Sequence, residues 1–481
     1  MRVRYRVRGI FLLLLLAVSG GAESVELTLD QAIEIAVDRS SRSEIIEGDL
    51  EVAEQNYFAE RINFYLPEIS VNGSLPAYNV AESFRFFGGG DEKNLIKTTD
   101  LDFNTNIKLN QSLITGGNLT VTGNIWNREA EYPLSGADVT EKSSQGVFDF
   151  ELEQPLLKPS EQKYELKNKK DDLELARLTH VEDLAALKNE VTEAYFGVLQ
   201  TEVKKQVTRA KLEAATLTLG IDSAKFDDGI ISEEARLEST SAKLDAELEQ
   251  IDIDNENLTK SRELAIVLDL DPSEAFAVVI PDPGGHLGDE TRRAVVNRWE
   301  ASVGVQKGLY EYSKAQRQAD YAASGHGLTG NLKATYSLGR GDVEVDGLEQ
   351  TNNTDSWGVS LNFSYPIWDG GSSGAAVKAA RLTAKKSQLE YERARRSARA
   401  EMVDLVNRLD ISFRKLNILT QQIEVTKNKR KIALFRLEDG QISRRDFLET
   451  EVAYLEAQDK YLDELKNYLI DKIELQSRYS G

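Results

Sequence analysis

The chain has 481 residues and a formal net charge of −21, with no cysteine and three histidines. The negative charge argues against nucleic acid as a partner, and the lack of cysteine excludes disulfides, thiolate chemistry and cysteine-based metal sites. The histidines at 180, 286 and 326 are scattered without ligand spacing, and the sequence contains neither a catalytic triad nor a phosphate-binding loop. We therefore expect no enzyme activity, no cofactor and no metal site.

The first 22 residues have the features of a secretory signal peptide. Four arginines precede a short apolar run at 10–18, and the small residues at 19–22 predict cleavage after Ala22. The alternative is an anchor helix, but the run falls well short of the roughly 20 apolar residues that a span requires. No long apolar run follows it, so we expect that any membrane-spanning part is a closed β-barrel.

An internal repeat organises the remaining residues, 23–481. Two glycine-containing turns match each other in sequence, and a proline upstream of each matches at the same offset. The matching pairs are 226–232 with 437–443, Gly229 with Gly440, and Pro155 with Pro366. We predict one protomer made of repeat one, 28–270, and repeat two, 289–479, with an insertion between Pro67 and Pro155 in the first.

Each repeat is predicted to end in a long antiparallel pair of helices, because apolar residues recur every three or four positions. The four predicted helices cover 156–225, 230–268, 370–437 and 441–479. At 1.5 Å per residue the helix at 370–437 would be about 100 Å long and its return only about 58 Å. A shorter helix at 28–64 or 291–323 would therefore stack end-on to complete each column.

Between the helices the apolar pattern changes to a period of two, which predicts strands. Six strands are predicted, at about 68–75, 101–110, 118–126, 147–155, 330–338 and 357–366. The pattern suits a water-filled membrane barrel or an ordinary half-buried antiparallel sheet. Asp149, Glu151 and Glu153 share one polar face, which favours the barrel.

Long polar loops and one tight turn are expected between these strands. The predicted loops are 77–100, 128–146 and 339–356, and the predicted turn is 114–117. Six strands are too few to close a barrel of useful size, so several subunits would have to share one.

Several distributed features make the chain resemble the TolC family of outer-membrane efflux proteins. They are Leu66-Pro67 before the first strand, Glu193-Ala194-Tyr195-Phe196 within a long helix, Tyr365-Pro366 followed by Asp369-Gly370-Gly371, and the two turns at Gly229 and Gly440. Each is weak alone, but their order, repeated in two halves, covers essentially the whole chain after the signal peptide.

The resemblance implies an α+β membrane protein: a homotrimer with one shared β-barrel above a long antiparallel α-helical coiled-coil barrel. It implies a location in the outer membrane, surrounded by its lipid, with the helical part in the periplasm. The function it implies is a passive exit duct of a tripartite efflux or type I secretion system. The partners would be a periplasmic adaptor and an inner-membrane transporter of the RND, ABC or MFS type. Familiar members contribute four strands each, whereas this chain adds 101–126, so we expect a wider barrel of about eighteen strands.

The candidate site residues lie at the turns and at the strand–helix junctions. Gly229 and Gly440 would reverse the chain, and Ser232 and Ser443 would cap the next helices. By resemblance, these turns form the periplasmic tip that an adaptor engages. Asp446 and Glu449 share a helix face, and the resemblance places them at a pore constriction, although a solvated face is the alternative. The predicted strand–helix junctions are Pro67, Pro155 and Pro366.

A structural or adhesive coiled-coil protein of the periplasm or cell surface is the alternative function. It accounts for the long helices, but it accounts for neither the six amphipathic strands nor the two-part repeat.

Overall fold

The structure is a computed structural model, which describes residues 25–86, 93–134, 137–272, 276–286, 288–325, 327–345 and 347–479. The predicted signal peptide, 1–22, and His326 lie outside these ranges. The chain divides into two compact units, each formed by three segments. Unit 1 comprises the chain up to Ser41, Leu187–Gly285 and Ser412–Ile470; unit 2 comprises Arg42–Ala186, His286–Ile411 and the chain from Asp471.

The described part of the chain contains eight α-helices, one 3₁₀ turn at Trp299–Ala301 and eight strands. The helices are α1 (Leu29–Arg39), α2 (Ser41–Tyr65), α3 (Glu161–Asp227), α4 (Glu233–Val267), α5 (Asp289–Asn297), α6 (Val303–Ser324), α7 (Ser372–Glu438) and α8 (Arg444–Tyr479). The strands are β1 (Val25–Leu27), β2 (Glu68–Phe86), β3 (Lys93–Ser112), β4 (Asn118–Leu134), β5 (Ala137–Pro155), β6 (Phe276–Val278), β7 (Thr329–Val345) and β8 (Leu348–Ser364).

The structure has two long helices, each followed by a shorter return helix. Both α3 and α7 have 67 residues, whereas the return helices α4 and α8 have 35 and 36. No helix of the described ranges is both long enough and apolar enough to cross a membrane.

The helix preceding each strand set is interrupted rather than continuous, unlike the prediction. Ser40 has extended backbone (ψ 145°) between α1 and α2, and Ser302 has the same geometry (ψ 143°) before α6. The α2 start is held by Asp269, whose carboxylate accepts hydrogen bonds from both the backbone N–H and the hydroxyl of Ser41. These two bonds lower the pKa of Asp269.

In unit 2, six strands form one antiparallel sheet in the order β2-β3-β4-β5-β7-β8. The chain enters and leaves the sheet at the edges β2 and β8, and β5 pairs with β7 across the junction of the two repeats. The mixed fold of long helices and antiparallel sheet confirms the predicted α+β class for a single chain.

The strands are much longer than the sequence predicted, with 17 to 20 residues each. The expected long loops at 77–100, 128–146 and 339–356 are wrong, because paired strands continue through most of them. Backbone pairing persists there although the apolar alternation fades, since hydrogen bonds between strands do not require an apolar face. β8 also ends earlier than predicted, so Pro366 lies beyond the sheet.

The predicted tight turn lies between β3 and β4. Gly116 has a φ of 92°, and its N–H donates to the carbonyl of Leu113 over 2.8 Å. A Cβ at Gly117 would approach the carbonyl of Glu153 to 2.7 Å. The turn therefore requires glycine at both positions, which fixes the register of the inserted strands.

The strand register aligns the apolar residues of all six strands on one face. Val71 lies opposite Ile107, Phe150 opposite Tyr336, and Tyr336 opposite Trp357. The opposite face carries Asp149, Glu151 and Glu153, and Lys333 pairs with Glu151 at 2.8 Å. Most large side chains of the apolar face are exposed in the single chain, including Trp357 at 79%.

In unit 1, the short parallel pair β1 and β6 is joined to α3 by one buried tyrosine. The Tyr195 hydroxyl lies 2.7 Å from the Leu27 carbonyl and 2.6 Å from the Val279 carbonyl, and it accepts from the Val279 N–H at 2.9 Å. Its side chain is fully buried, which raises its pKa.

Tyr195→Phe should loosen this junction, because the Val279 N–H would lose its shorter hydrogen bond and keep only the Leu27 carbonyl at 3.4 Å. We expect a loss of about 0.5–1.5 kcal/mol of local stability, the net value of an ordinary hydrogen bond, measured as faster hydrogen exchange of the Val279 amide. Tyr468→Phe is the matched control, since that buried hydroxyl makes one long bond within the described ranges, of 3.4 Å to the Gly285 carbonyl. Equal exchange rates in both variants would contradict the prediction.

Candidate functional site

Both predicted turns close their helices with the same hydrogen-bond pattern. The Ile230 N–H donates to the Lys225 carbonyl and the Gln441 N–H to the Arg436 carbonyl, each over 2.8 Å. Gly229 and Gly440 have φ values of 73° and 67°. This is a Schellman motif, in which glycine takes the left-handed position. The two turns therefore match in their hydrogen bonds and glycine conformation as well as in sequence.

The helices that follow the turns are capped differently. Ser232 accepts from the Ala235 N–H at 3.2 Å, and Ser443 accepts from the Asp446 N–H at 3.2 Å. In the second turn the Asp446 carboxylate also accepts from the Ser443 N–H at 3.1 Å and from its hydroxyl at 2.8 Å. The result is a reciprocal capping box, which Ala235 cannot form in the first turn.

The two predicted constriction residues, Asp446 and Glu449, are both exposed in the single chain. The bonds from Ser443 lower the pKa of Asp446, so this carboxylate is held charged in one protomer. Glu449 lies 3.5 Å from Arg445 on the same helix. Their role at a constriction depends on neighbouring copies and remains a prediction.

The turns also differ in charge. The first is flanked by Asp227, Asp228, Glu233 and Glu234, whereas the second is flanked by Glu438, Asp439, Arg444 and Arg445. Arg444 makes a two-pronged ion pair with Glu213 of α3, with N–O distances of 2.8 and 3.3 Å. Sequence reasoning missed this pair, although Arg444 stands where the first repeat has Glu233.

The prolines mark the opposite ends of the long helices. Pro67 immediately precedes β2, Pro155 is the last residue of β5, and Pro366 lies between β8 and α7. After Pro366, the Asp369 carboxylate accepts from the N–H groups of Gly371 and Ser373 at 2.8 and 2.9 Å, which starts α7. The structure therefore separates the predicted site residues into a turn group and a junction group.

In unit 1, side-chain contacts give the helices the lateral order α4-α3-α8-α7. Thr208 of α3 contacts Gln250 of α4 at 2.9 Å, and α3 contacts α8 through the Glu213–Arg444 pair. Arg430 of α7 binds Glu451 of α8 at 2.7 Å. The flanking helices of this unit are α4 and α7.

Both flanking helices of unit 1 expose an apolar stripe with seven-residue spacing. The exposed residues are Leu237, Leu244, Leu248, Ile251 and Leu258 on α4, and Ile418, Val425, Ile432 and Phe435 on α7. Such stripes are typical of coiled-coil seams. Their charges are opposite: α4 carries ten acidic and four basic residues, whereas residues 412–438 of α7 carry two acidic and seven basic ones.

Unit 2 repeats this arrangement with the lateral order α2-α3-α6-α7. Arg177 of α3 lies 3.8 Å from Glu54 of α2, Lys314 of α6 pairs with Asp172 of α3, and Tyr312 of α6 stacks on Tyr391 of α7. The flanking helix α2 exposes Ile45, Val52, Phe58 and Tyr65, and α7 exposes Leu382, Leu389 and Val403.

The flanks of unit 2 also have opposite charges. α2 has six acidic and two basic residues, and residues 372–411 of α7 have five acidic and nine basic ones. In each unit, one flank is therefore acidic and the other basic.

The comparisons with known proteins agree with this geometry. Residues 308–478, which hold most of repeat two, match the family model described as Outer membrane efflux protein. These residues are similar in sequence to the outer membrane efflux proteins. The resemblance seen in the sequence is thereby confirmed for this part of the chain. A search of curated protein sequences gives no match.

Solved structures with the same fold extend over nearly the whole chain. The outer membrane protein VceC of Vibrio cholerae has a TM-score of 0.60 at 13% identity, covering 94% of this chain and 96% of its own. The Campylobacter jejuni CmeC outer membrane channel gives 0.59 at 12%, covering 94% and 85%. The open-state MtrE outer membrane channel of Neisseria gonorrhoeae gives 0.53 at 15%, covering 94% and 89%. The fold shared with these outer membrane proteins therefore includes repeat one as well.

Proposed function

We propose that this protein is the passive outer-membrane exit duct of a tripartite efflux or type I secretion system. The single observation that carries the proposal is the register of the six-stranded sheet. It places the large apolar residues of all strands on one exposed face and the charged residues on the other. A sheet with this pattern suits lipid on one side and water on the other.

The assembly we propose is a ring of identical subunits, with three expected from the family. In each unit an acidic flank and a basic flank carry matching apolar stripes. A face that complements a different face of the same chain makes a head-to-tail contact, and such contacts close into rings. The sheet edges β2 and β8 would pair in the same way, so three copies would form one barrel of eighteen strands.

The eighteen-strand barrel has a direct structural test. Electron cryomicroscopy of the purified assembly should resolve three subunits and eighteen strands, because the Gly116–Gly117 turn builds β3 and β4 into the sheet. A trimer whose barrel contains twelve strands, with β3 and β4 outside it, would contradict the expectation.

Energy and substrate choice would come from an inner-membrane transporter, and the duct itself would be an open path rather than a catalyst. The turns at Gly229 and Gly440 are the proposed docking points for a periplasmic adaptor. The first turn exposes the apolar side chain of Ile230 at 68% beside four carboxylates, which suits a partner with an apolar and basic surface.

Asp446 and Glu449 are the proposed constriction of the duct. Three copies of the pair would bring six carboxylates towards one axis, and such a ring favours cations. Asp446→Ala/Glu449→Ala should therefore raise single-channel conductance in a planar bilayer and weaken cation selectivity. Glu233→Ala/Glu234→Ala is the matched control, with the same charge change at the first turn. If only this control changed the conductance, the constriction would have to lie elsewhere.

The same measurement tests the function itself. If both the wild-type protein and the Asp446→Ala/Glu449→Ala variant were folded and ring-forming but gave no conductance, the duct would be contradicted.

A further inference from the structure

A pocket lies in unit 2 where the chain passes from β5 to α3. It has a volume of about 180 Å³ and is lined by α3, the two residues before it, and α6. The lining residues are Pro159, Ser160, Lys163, Tyr164, Lys167, Arg317, Asp320 and Tyr321. The proposed function does not use it.

The pocket lining combines three cationic side chains with one carboxylate. Lys163 and Lys167 lie one helical turn apart and are exposed, and neither forms an ion pair within the described chain. Arg317, by contrast, is already held by Asp171 and by Asn168 at 3.2 Å. Asp320 is exposed at the same pocket on α6. Charges of both signs are thus available to a ligand.

The wall between these charges is aromatic and fixed in position. The rings of Tyr164 and Tyr321 stack with centroids 4.8 Å apart and planes 19° from parallel. The Tyr164 hydroxyl bonds Gln318, and the Lys158 ammonium lies 4.7 Å from the Tyr321 ring centroid. Because both rings are held by neighbours, the pocket keeps its shape without a ligand.

The chain segment that leads into the pocket lies against the apolar face of the sheet. Leu157 and Phe363 both lie against Gly330, so the chain just before the pocket continues that face. At the same end of the sheet, Tyr365, Ile367 and Trp368 are exposed, Trp368 at 87%. Aromatic side chains followed by basic ones are typical of the boundary between the hydrocarbon and headgroup layers.

We propose that this pocket binds the headgroup of a phosphatidylethanolamine molecule in the periplasmic leaflet of the outer membrane, an inference that rests on the proposed function. The phosphate would lie between Lys163 and Lys167, near the positive end of the α3 dipole. The ammonium would lie against Asp320, and the acyl chains would follow the apolar face. A zwitterion matches the mixed charges better than a purely anionic headgroup does.

The test is a lipid titration of the full-length, detergent-purified assembly, followed by native mass spectrometry. The probes are phosphatidylethanolamine, phosphatidylglycerol and phosphatidylcholine with identical acyl chains. Wild-type protein should retain phosphatidylethanolamine more tightly than phosphatidylcholine, because the trimethylated amine cannot donate a hydrogen bond to Asp320. Equal retention of these two lipids would overturn the proposal.

Two variants test the proposed phosphate contact and the proposed ammonium contact separately. Lys163→Gln/Lys167→Gln should weaken binding of phosphatidylethanolamine and phosphatidylglycerol alike, by about tenfold or more. Asp320→Asn should weaken phosphatidylethanolamine several-fold and leave phosphatidylglycerol unchanged. Lys169→Gln/Lys170→Gln is the matched control, one turn further along α3, outside the pocket lining. An equal effect of both lysine pairs would overturn the proposal.

Free inorganic phosphate is the alternative ligand for the same two lysines. Millimolar inorganic phosphate that displaces the lipid from wild-type protein would identify a free-anion site and overturn the headgroup assignment. Bilayer conductance of the same preparation keeps the two proposals separate. A conducting protein without lipid preference contradicts the headgroup site alone, whereas a folded, lipid-selective protein that never conducts contradicts the duct.

Discussion

Lys429→Glu/Lys431→Glu on α7 should convert the purified assembly into monomers. Both lysines are exposed beside the apolar stripe of α7, near its end at the second turn. In the proposed ring they would face Glu238 and Asp245, exposed near the start of α4 in the next copy. Reversal would place like charges together along the seam, which costs several kcal/mol at an interface. Mass photometry in detergent would report the change in mass.

The strongest control for this prediction reverses the charges on both sides of the proposed contact. Glu238→Lys/Asp245→Lys should also dissociate the ring, but the four substitutions together should restore it. Lys169→Glu/Lys170→Glu applies the same charge change to α3, which lies between other helices in both units, and should leave the mass unchanged. If the fourfold variant stayed monomeric while the α7 pair alone remained assembled, the α4–α7 contact would be wrong.

Phe150→Lys should prevent stable insertion of the sheet, whereas Asp149→Lys should be tolerated. The two residues are adjacent on β5 but point to opposite faces of the sheet. Phe150 lies on the exposed apolar face opposite Tyr336, and Asp149 lies opposite Ser337. A lysine facing lipid costs about 2–4 kcal/mol near the bilayer midplane, whereas the polar face is already solvated.

The readout for this pair is the amount of heat-sensitive oligomer in the outer-membrane fraction, measured beside the total protein. Loss with Phe150→Lys alone is the expected outcome. Equal loss in both variants would mean that the sheet is buried on both faces, and equal retention would mean that neither face meets lipid.

The sequence predicted the helices well because their signals are local. The 67-residue length of α3 and α7, and the turns at Gly229 and Gly440, follow from apolar spacing and glycine alone. The strand ends could not be predicted in this way. Beyond residues 75, 126 and 338 the strands remain paired while their side chains lose alternation. Pairing is a property of two strands together, so one strand's sequence carries little sign of it.

The candidate site was predicted only in part for a related reason. Gly440, Ser443 and Asp446 are neighbours in sequence, so their common turn was predictable, including the capping by Ser443. The contact between Arg444 and Glu213 joins residues far apart in the chain. The charge difference between α7 and the helices α2 and α4 is visible in the sequence. It indicates a contact between subunits only once the structure shows that these helices lie at the flanks of the two units.

The pairing of β5 with β7 has a consequence for biogenesis. The central ladder joins residues 141–155 to residues 331–345, with the helices α3 to α6 between them. Contacts so distant form slowly, whereas helical hairpins such as α3–α4 form from near neighbours. During export the first four strands would therefore emerge with an unpaired edge, which is prone to aggregation until the second repeat follows. We expect periplasmic chaperones to be needed most in the interval between translocation of β5 and of β7.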